Sequence, residues 1–111
     1  MKLTFQALIE KLKQATLRGA GVTSPDLRQA VADYAQAISQ NQPGENGRIR
    51  PELMPYIEKV TLHAYKITDK TVEQLKANGL SEDEIYELTI SAALGAGLAR
   101  YEKGMALLDN I

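Results

Sequence analysis

The chain has one histidine, His63, and among its side chains only this one titrates near neutrality without needing its pKa moved. Used as a general base, it would need a positioned partner and a pocket to receive a substrate. It has no second histidine and no cysteine beside it, so the usual zinc ligand sets are out of reach and no metal site is expected. A single histidine near the end of an apolar helix is more often a packing or surface residue than a ligand. Arg100 is the second candidate. It follows the small and apolar run "ISAALGAGLA", and there its planar guanidinium can clamp an anion or pair with Glu84, Glu87 or a neighbouring subunit. The "GAG" of that run lies inside a helical pattern with no strand before it, so it is not a nucleotide loop. Gly95 and Gly97, with Ala92, Ala93 and Ala96, are expected instead to let two helices or two subunits approach closely. The acidic cluster "SEDEIYE" is accounted for by helix-start chemistry rather than by a metal.

The absence of cysteine from all 111 residues removes disulfides, thiol nucleophiles and thiolate metal sites together. A net charge of −1 provides no field for nucleic acid or an anionic membrane, and neither partner is expected. The halves differ only mildly, with seven basic against four acidic residues up to position 50 and six against ten afterwards. A chain of this length fits one domain with one core. "MKLTFQALIEKLKQ" meets charge too early for a signal peptide, and no stretch is apolar for long enough to span a bilayer, so the expected location is the cytoplasm.

The elements that must position these side chains all read as helices. Phe5, Leu8, Ile9 and Leu12 share one face of a first helix that ends at Gly19 and Gly21. A second begins with Ser24 as cap, Pro25 at its first position and Asp26 near its positive end, and carries Leu27, Val31, Tyr34 and Ile38. The polar "NQPGENGRIR" over residues 41–50 reads as a surface loop. A third helix starts near Pro51, with Leu53, Ile57, Val60 and Ala64 inward and Pro55 tolerable only in the first turn. Thr68 or Asp69 caps a fourth, which carries Val72 and Leu75 and stops at Asn78-Gly79. Ser81 and Glu84 form a capping box for a fifth, with Leu88, Ala92, Leu98, Met105 and Leu108 apolar and a kink or break expected near Gly95 and Gly97. No strand is expected. The five tyrosines are expected at the core edge or an interface, and any small-molecule pocket is expected to be lined by them.

The helix, bend, short helix ending in "NGLSEDEI" and Ala-rich helix "AALGAGLAR" resemble the core of the alkylhydroperoxidase D-like and carboxymuconolactone decarboxylase-like superfamily. The resemblance covers residues 50–108, about half the chain, with the helical pair 4–40 and the loop 41–50 before it. It implies a compact, all-α, single-domain bundle of about five to six helices that assembles through them. In the peroxidase branch a C-x-x-C-x-x-x-H motif precedes the Gly-Leu-Ser turn. Counting back from Gly79 places Ala64 and Ile67 at the two cysteine positions and Thr71 at the histidine position. The decarboxylase branch also keeps a histidine there. The resemblance further implies a proton-relay glutamate at the position held by Glu52, and His63 falls one residue before the first cysteine position.

The expected protein is therefore a non-redox, cofactor-free relative that forms a homo-oligomer through its helices or holds a small-molecule ligand. One alternative is a cofactor-free decarboxylase or isomerase in which Glu52 and His63 handle protons while Tyr65 or Arg100 orients a small anionic substrate. Another is an adaptor that binds a protein partner through a helical face and the 41–50 loop.

Overall fold

The computed structural model describes residues 2–110, with side chains from residue 5 to residue 110. All regular structure among these residues is helical. α1 (Lys2–Lys13) runs into one π turn (Gln14–Arg18), and α2 spans Pro25–Ser39. A 3-10 turn (Pro51–Leu53) leads into α3 (Met54–Leu62), and a second one (Ala64–Lys66) precedes α4 (Asp69–Ala77) and α5 (Glu82–Asp109).

The starts and stops follow local chemistry. Ser24 Oγ accepts from the Leu27 N–H at 3.1 Å, with Pro25 opening α2. At the other end Asn41 takes the left-handed conformation at φ 57°, which asparagine tolerates and which turns the chain out of the helix. Thr68, not Asp69, caps α4, in a box with Thr71. Gly79 supplies φ 98° after α4, and Ser81 with Glu84 closes the capping box that starts α5. An ion pair from Lys76 to Glu82 spans that turn.

α2 and α5 form the centre of the fold and run parallel. Contacts of α2 and its flanking residues with α5 join residues whose numbers differ by 62 to 66: Thr23 with Glu87, Gln36 with Glu102 and Gln40 with Glu102. Val31, Ala32 and Ala35 are buried on α2, and Leu88, Ser91, Ala92, Gly95, Ala96 and Ala99 on α5. Small side chains at the crossing bring the two backbones close. A Cβ at Gly95 would stand 2.2 Å from the Ala32 carbonyl oxygen. α5 is continuous through Gly95 and Gly97, so the helix does not break there. Packing on α2 holds the helix through residues whose intrinsic preference is weak.

α3 closes a second side with Leu53, Tyr56 and Ile57 buried. The Thr89 hydroxyl donates to the Ile85 carbonyl at 2.6 Å, so its short contact with Tyr56 Oη, also 2.6 Å, has the phenol as donor. Pro55 sits in the first turn of α3, as its missing N–H requires. Ala64, expected on the buried face of that helix, lies exposed in the separate 3-10 turn instead. The chain leaves the α-helix at His63, whose φ of −143° ends the ladder. The 41–50 loop is more than a surface link. Ile49 is buried, and Gly44 lies so close on the Tyr34 ring that a Cβ there would meet Cδ2 at 2.4 Å.

α1 stands apart. Leu17 in the π turn is buried, but Phe5, Leu8 and Leu12 are about half exposed. The radius of gyration, 14.7 Å, exceeds the roughly 13 Å of a rounded domain this long, consistent with the 49 Å long axis.

Replacing Gly95 with alanine forces α2 and α5 apart and is expected to cost about 1–3 kcal/mol. Gly104, whose Cβ would meet nothing within 4 Å, tests the opposite case. Gly104→Ala is expected to stabilise by up to about 1 kcal/mol through helix preference alone. Thermal unfolding of both variants followed by circular dichroism measures the pair.

Candidate functional site

The most constrained polar arrangement lies where the loop before α2 crosses α5. Arg28, buried on α2, donates from Nη1 to the Thr16 carbonyl at 3.0 Å and from Nη2 to the carbonyls of Gly19 at 2.6 Å and Thr23 at 3.3 Å. These include carbonyls that the end of the α1–π segment leaves without helical partners. Glu87, on α5, does the reverse. Its carboxylate accepts from the N–H groups of Val22 at 2.8 Å and Thr23 at 2.9 Å and from the Thr23 hydroxyl. A Cβ on Gly21 would sit 2.7 Å from Glu87 Oε1, so glycine is what lets the carboxylate approach. Burial works to raise the Glu87 pKa, but the Thr23 hydroxyl, the two amides and the nearby Arg28 charge outweigh it and hold the carboxyl below its ordinary value. A concave pair of backbone amides of this kind can bind an anion. Here the protein fills it with its own side chain, so the arrangement locks the loop.

The residues singled out from sequence are placed separately. Glu52 is exposed in the 3-10 turn before α3 and pairs with Arg50, Nε to Oε2 at 3.2 Å. His63 is exposed at the opposite end of α3, about 16 Å along the axis at 1.5 Å per residue. Its ring meets Tyr65 edge-on, with centroids 6.0 Å apart. Tyr65 is 80% exposed and has Lys66 Nζ 6.0 Å from its ring centroid. Arg100 Nη2 reaches the Thr61 carbonyl at 3.5 Å, near the end of α3, where a cation satisfies the carbonyl end of a helix. The structure therefore brings His63 and Tyr65 together at the bend and Arg100 to the last turn of α3, but leaves Glu52 elsewhere. Ala64 is exposed, Ile67 half-buried and Thr71 engaged in the cap of α4.

Two open clefts border the second half of α5. One, of about 630 Å³, lies at the end of α2 and is lined by Gln40, Gln42, Arg100, Glu102 and Lys103 among others. The second, about 400 Å³, separates Gln6 of α1 from Tyr101, Met105 and Asp109 of α5. The larger cleft has no tyrosine in its walls, whereas Tyr101 lines the second. Tyr34 and Tyr56 are instead buried. Tyr34 donates to Glu58 Oε1 at 3.0 Å, and burial, with that carboxylate, raises its pKa. Sequence reasoning did not anticipate the Arg28–Glu87 lock. The available signal was Arg28 itself, an arginine one and two turns before Val31 and Ala35 on the inward face of α2.

Among the described residues no group of three or more histidine, aspartate or glutamate side chains could hold a metal ion. Nor is any helix among them long and apolar enough to cross a membrane. Comparison of the chain with protein-family models, with curated proteins and with solved structures finds no match.

Because Glu87 is depressed below its ordinary 4.5 when folded, its stabilisation is complete above that pH and is lost as the pH falls through the folded value. Glu87→Gln is expected to lower Tm at pH 7 and to flatten its decline below about pH 4.5. Thermal melts of both proteins from pH 3 to 8 check the sign. Arg28→Ala is expected to cost about 1–3 kcal/mol, since it strands the carbonyls that the guanidinium holds. Denaturant titration and faster amide exchange over residues 14–23 are the readouts.

Proposed function

We propose that the protein is a non-redox helical module that works by self-association and is related in layout to the alkylhydroperoxidase D-like bundle. The observation that carries this reading is exposed apolar surface: Leu8 is 55% and Leu108 62% exposed, and Phe5 and Leu12 of α1 and Leu107 of α5 are about half exposed as well. Large side chains spaced along one face of an otherwise amphipathic helix favour burial against another surface. A chain with no cysteine has no thiolate to attack a peroxide and no resolving thiol, so thiol peroxidase chemistry is outside its reach. The alternative lyase reading asks Glu52 and His63 to act on one small substrate, and their places at opposite ends of α3 do not favour it.

A second reading has one specific observation behind it. The 630 Å³ cleft at the end of α2 has a volume suited to a small molecule, and Arg100 and Lys103 in its wall would favour a carboxylate or phosphate.

Light scattering at micromolar concentration is expected to give a mass that is a multiple of 12.2 kDa. A 12.2 kDa species alone would remove the assembly reading and leave partner binding through the same surface. For the cleft, titration with small carboxylates is expected to shift the NMR signals of Gln40 and Lys103 in the native protein, with the shifts lost in Arg100→Gln.

A further inference from the structure

We propose that the outer face of α5, flanked by α1, is the two-fold interface of a homodimer in which α5 packs antiparallel on α5 of a second copy. The proposal rests on the assembly reading above and specifies its surface and symmetry. α5 is apolar or small on nearly every side, yet α2 and α3 cover only part of it. Such a helix is stable when surrounded. At helical spacing along its uncovered side lie Tyr86, Ile90, Ala93, Gly97 and Arg100, all exposed, with Tyr86 67% exposed. Gly97 touches nothing that a Cβ would meet, so the helix presents a shallow hollow there rather than a side chain. Only Gly95 of the expected close-contact glycines is used inside the chain, against Ala32. Gly97 faces outward.

The order of charge along this face identifies the occupant. Glu82, ion-paired with Lys76 of α4, and Asp83 lie at its amino-terminal end, the apolar residues in the middle, and Arg100, which also reaches the Thr61 carbonyl, and Lys103 towards its carboxyl-terminal end. A two-fold axis near Ala93 reverses one copy against the other and matches each end with its opposite. Ala93 then meets Ala93, and Ile90 enters the hollow at Gly97. Tyr86 lies by Arg100, in a cation–π arrangement, and Glu82 lies by Lys103. A parallel pairing would instead set like charges side by side.

Area requires α1 as well. α5 alone offers a face about 42 Å long and about 10 Å wide. With α1 beside its second half the footprint is roughly 600 Å², closer to the about 800 Å² per partner of a standard stable interface. Phe5, Leu8 and Leu12 are the exposed apolar side chains that α1 carries.

The chain has no cysteine, so single introduced thiols report contacts directly. Light scattering is expected to give twice 12.2 kDa, and Ile90→Asp the monomer with unchanged helical circular dichroism. Under mild oxidation Ala93→Cys is expected to give a covalent dimer, and Glu82→Cys only when Lys103→Cys is present as well. Glu82→Lys is expected to weaken the dimer at least tenfold and the added Lys103→Glu to restore most of it. A monomer at every concentration overturns both this interface and the assembly reading. A dimer or larger species that Ile90→Asp leaves intact and Ala93→Cys does not cross-link overturns this interface alone.

Discussion

The close parallel contact between α2 and α5, at Ala32 and Gly95, sets the conditions for the rest of the structure. Two parallel helices cannot be joined by a short turn, because the chain must return the length of the first before it starts the second. Residues 40–81 are that return. Seen this way, α3 and α4 serve two ends at once: they bring the chain back and cover a side of α5 with Leu53, Tyr56 and Ile57. The loop at 41–50 is drawn inward for the same reason, with Gly44 against Tyr34 and Ile49 in the core.

Helices that meet through alanine and glycine gain close packing but slide easily, since small side chains interlock little. Polar contacts fix their register. At one end Glu87 holds the amides of Val22 and Thr23, and at the other Glu102 accepts from Gln36 and Gln40. Burying Arg28 is costly, and its Nε has no partner. Its three carbonyl contacts and the Glu87 charge offset that cost, and together with buried Leu17 they tie the α1–π segment to the core.

The same geometry explains the bend between α3 and α4. His63 ends one helix and Thr68 caps the next, so the intervening residues are spent on turning the chain. Ala64, Ile67 and Thr71 occupy the places where the resembled family keeps thiols and an imidazole, and here they are an exposed methyl, a half-buried aliphatic side chain and part of a cap. Arg100 contributes to the end of α3 rather than to a site containing His63 or Glu52. The chemistry-bearing residues are thus spread over the turn before α3, the bend after it and α5.

Helix starts and stops were legible in the chain because they depend on neighbours in sequence. Ser24 with Pro25, Thr68, Gly79, and Ser81 with Glu84 each satisfy backbone groups within a few residues, and each does what its local chemistry requires. The all-helical class and the exclusion of thiol chemistry were legible for the same reason: periodicity and composition carry them. The pairing of helices was not. Nothing in "ALGAGLAR" distinguishes Gly95, which meets Ala32, from Gly97, which faces out, and nothing local says whether the face of Phe5, Leu8 and Leu12 turns inward. Likewise Arg28 and Glu87 are 59 positions apart, and only the crossing of α2 over α5 gives each the backbone groups it holds. Caps and turns are short-range and written in adjacent residues; burial, register and the meeting of distant charges depend on which surfaces the folded chain brings into contact.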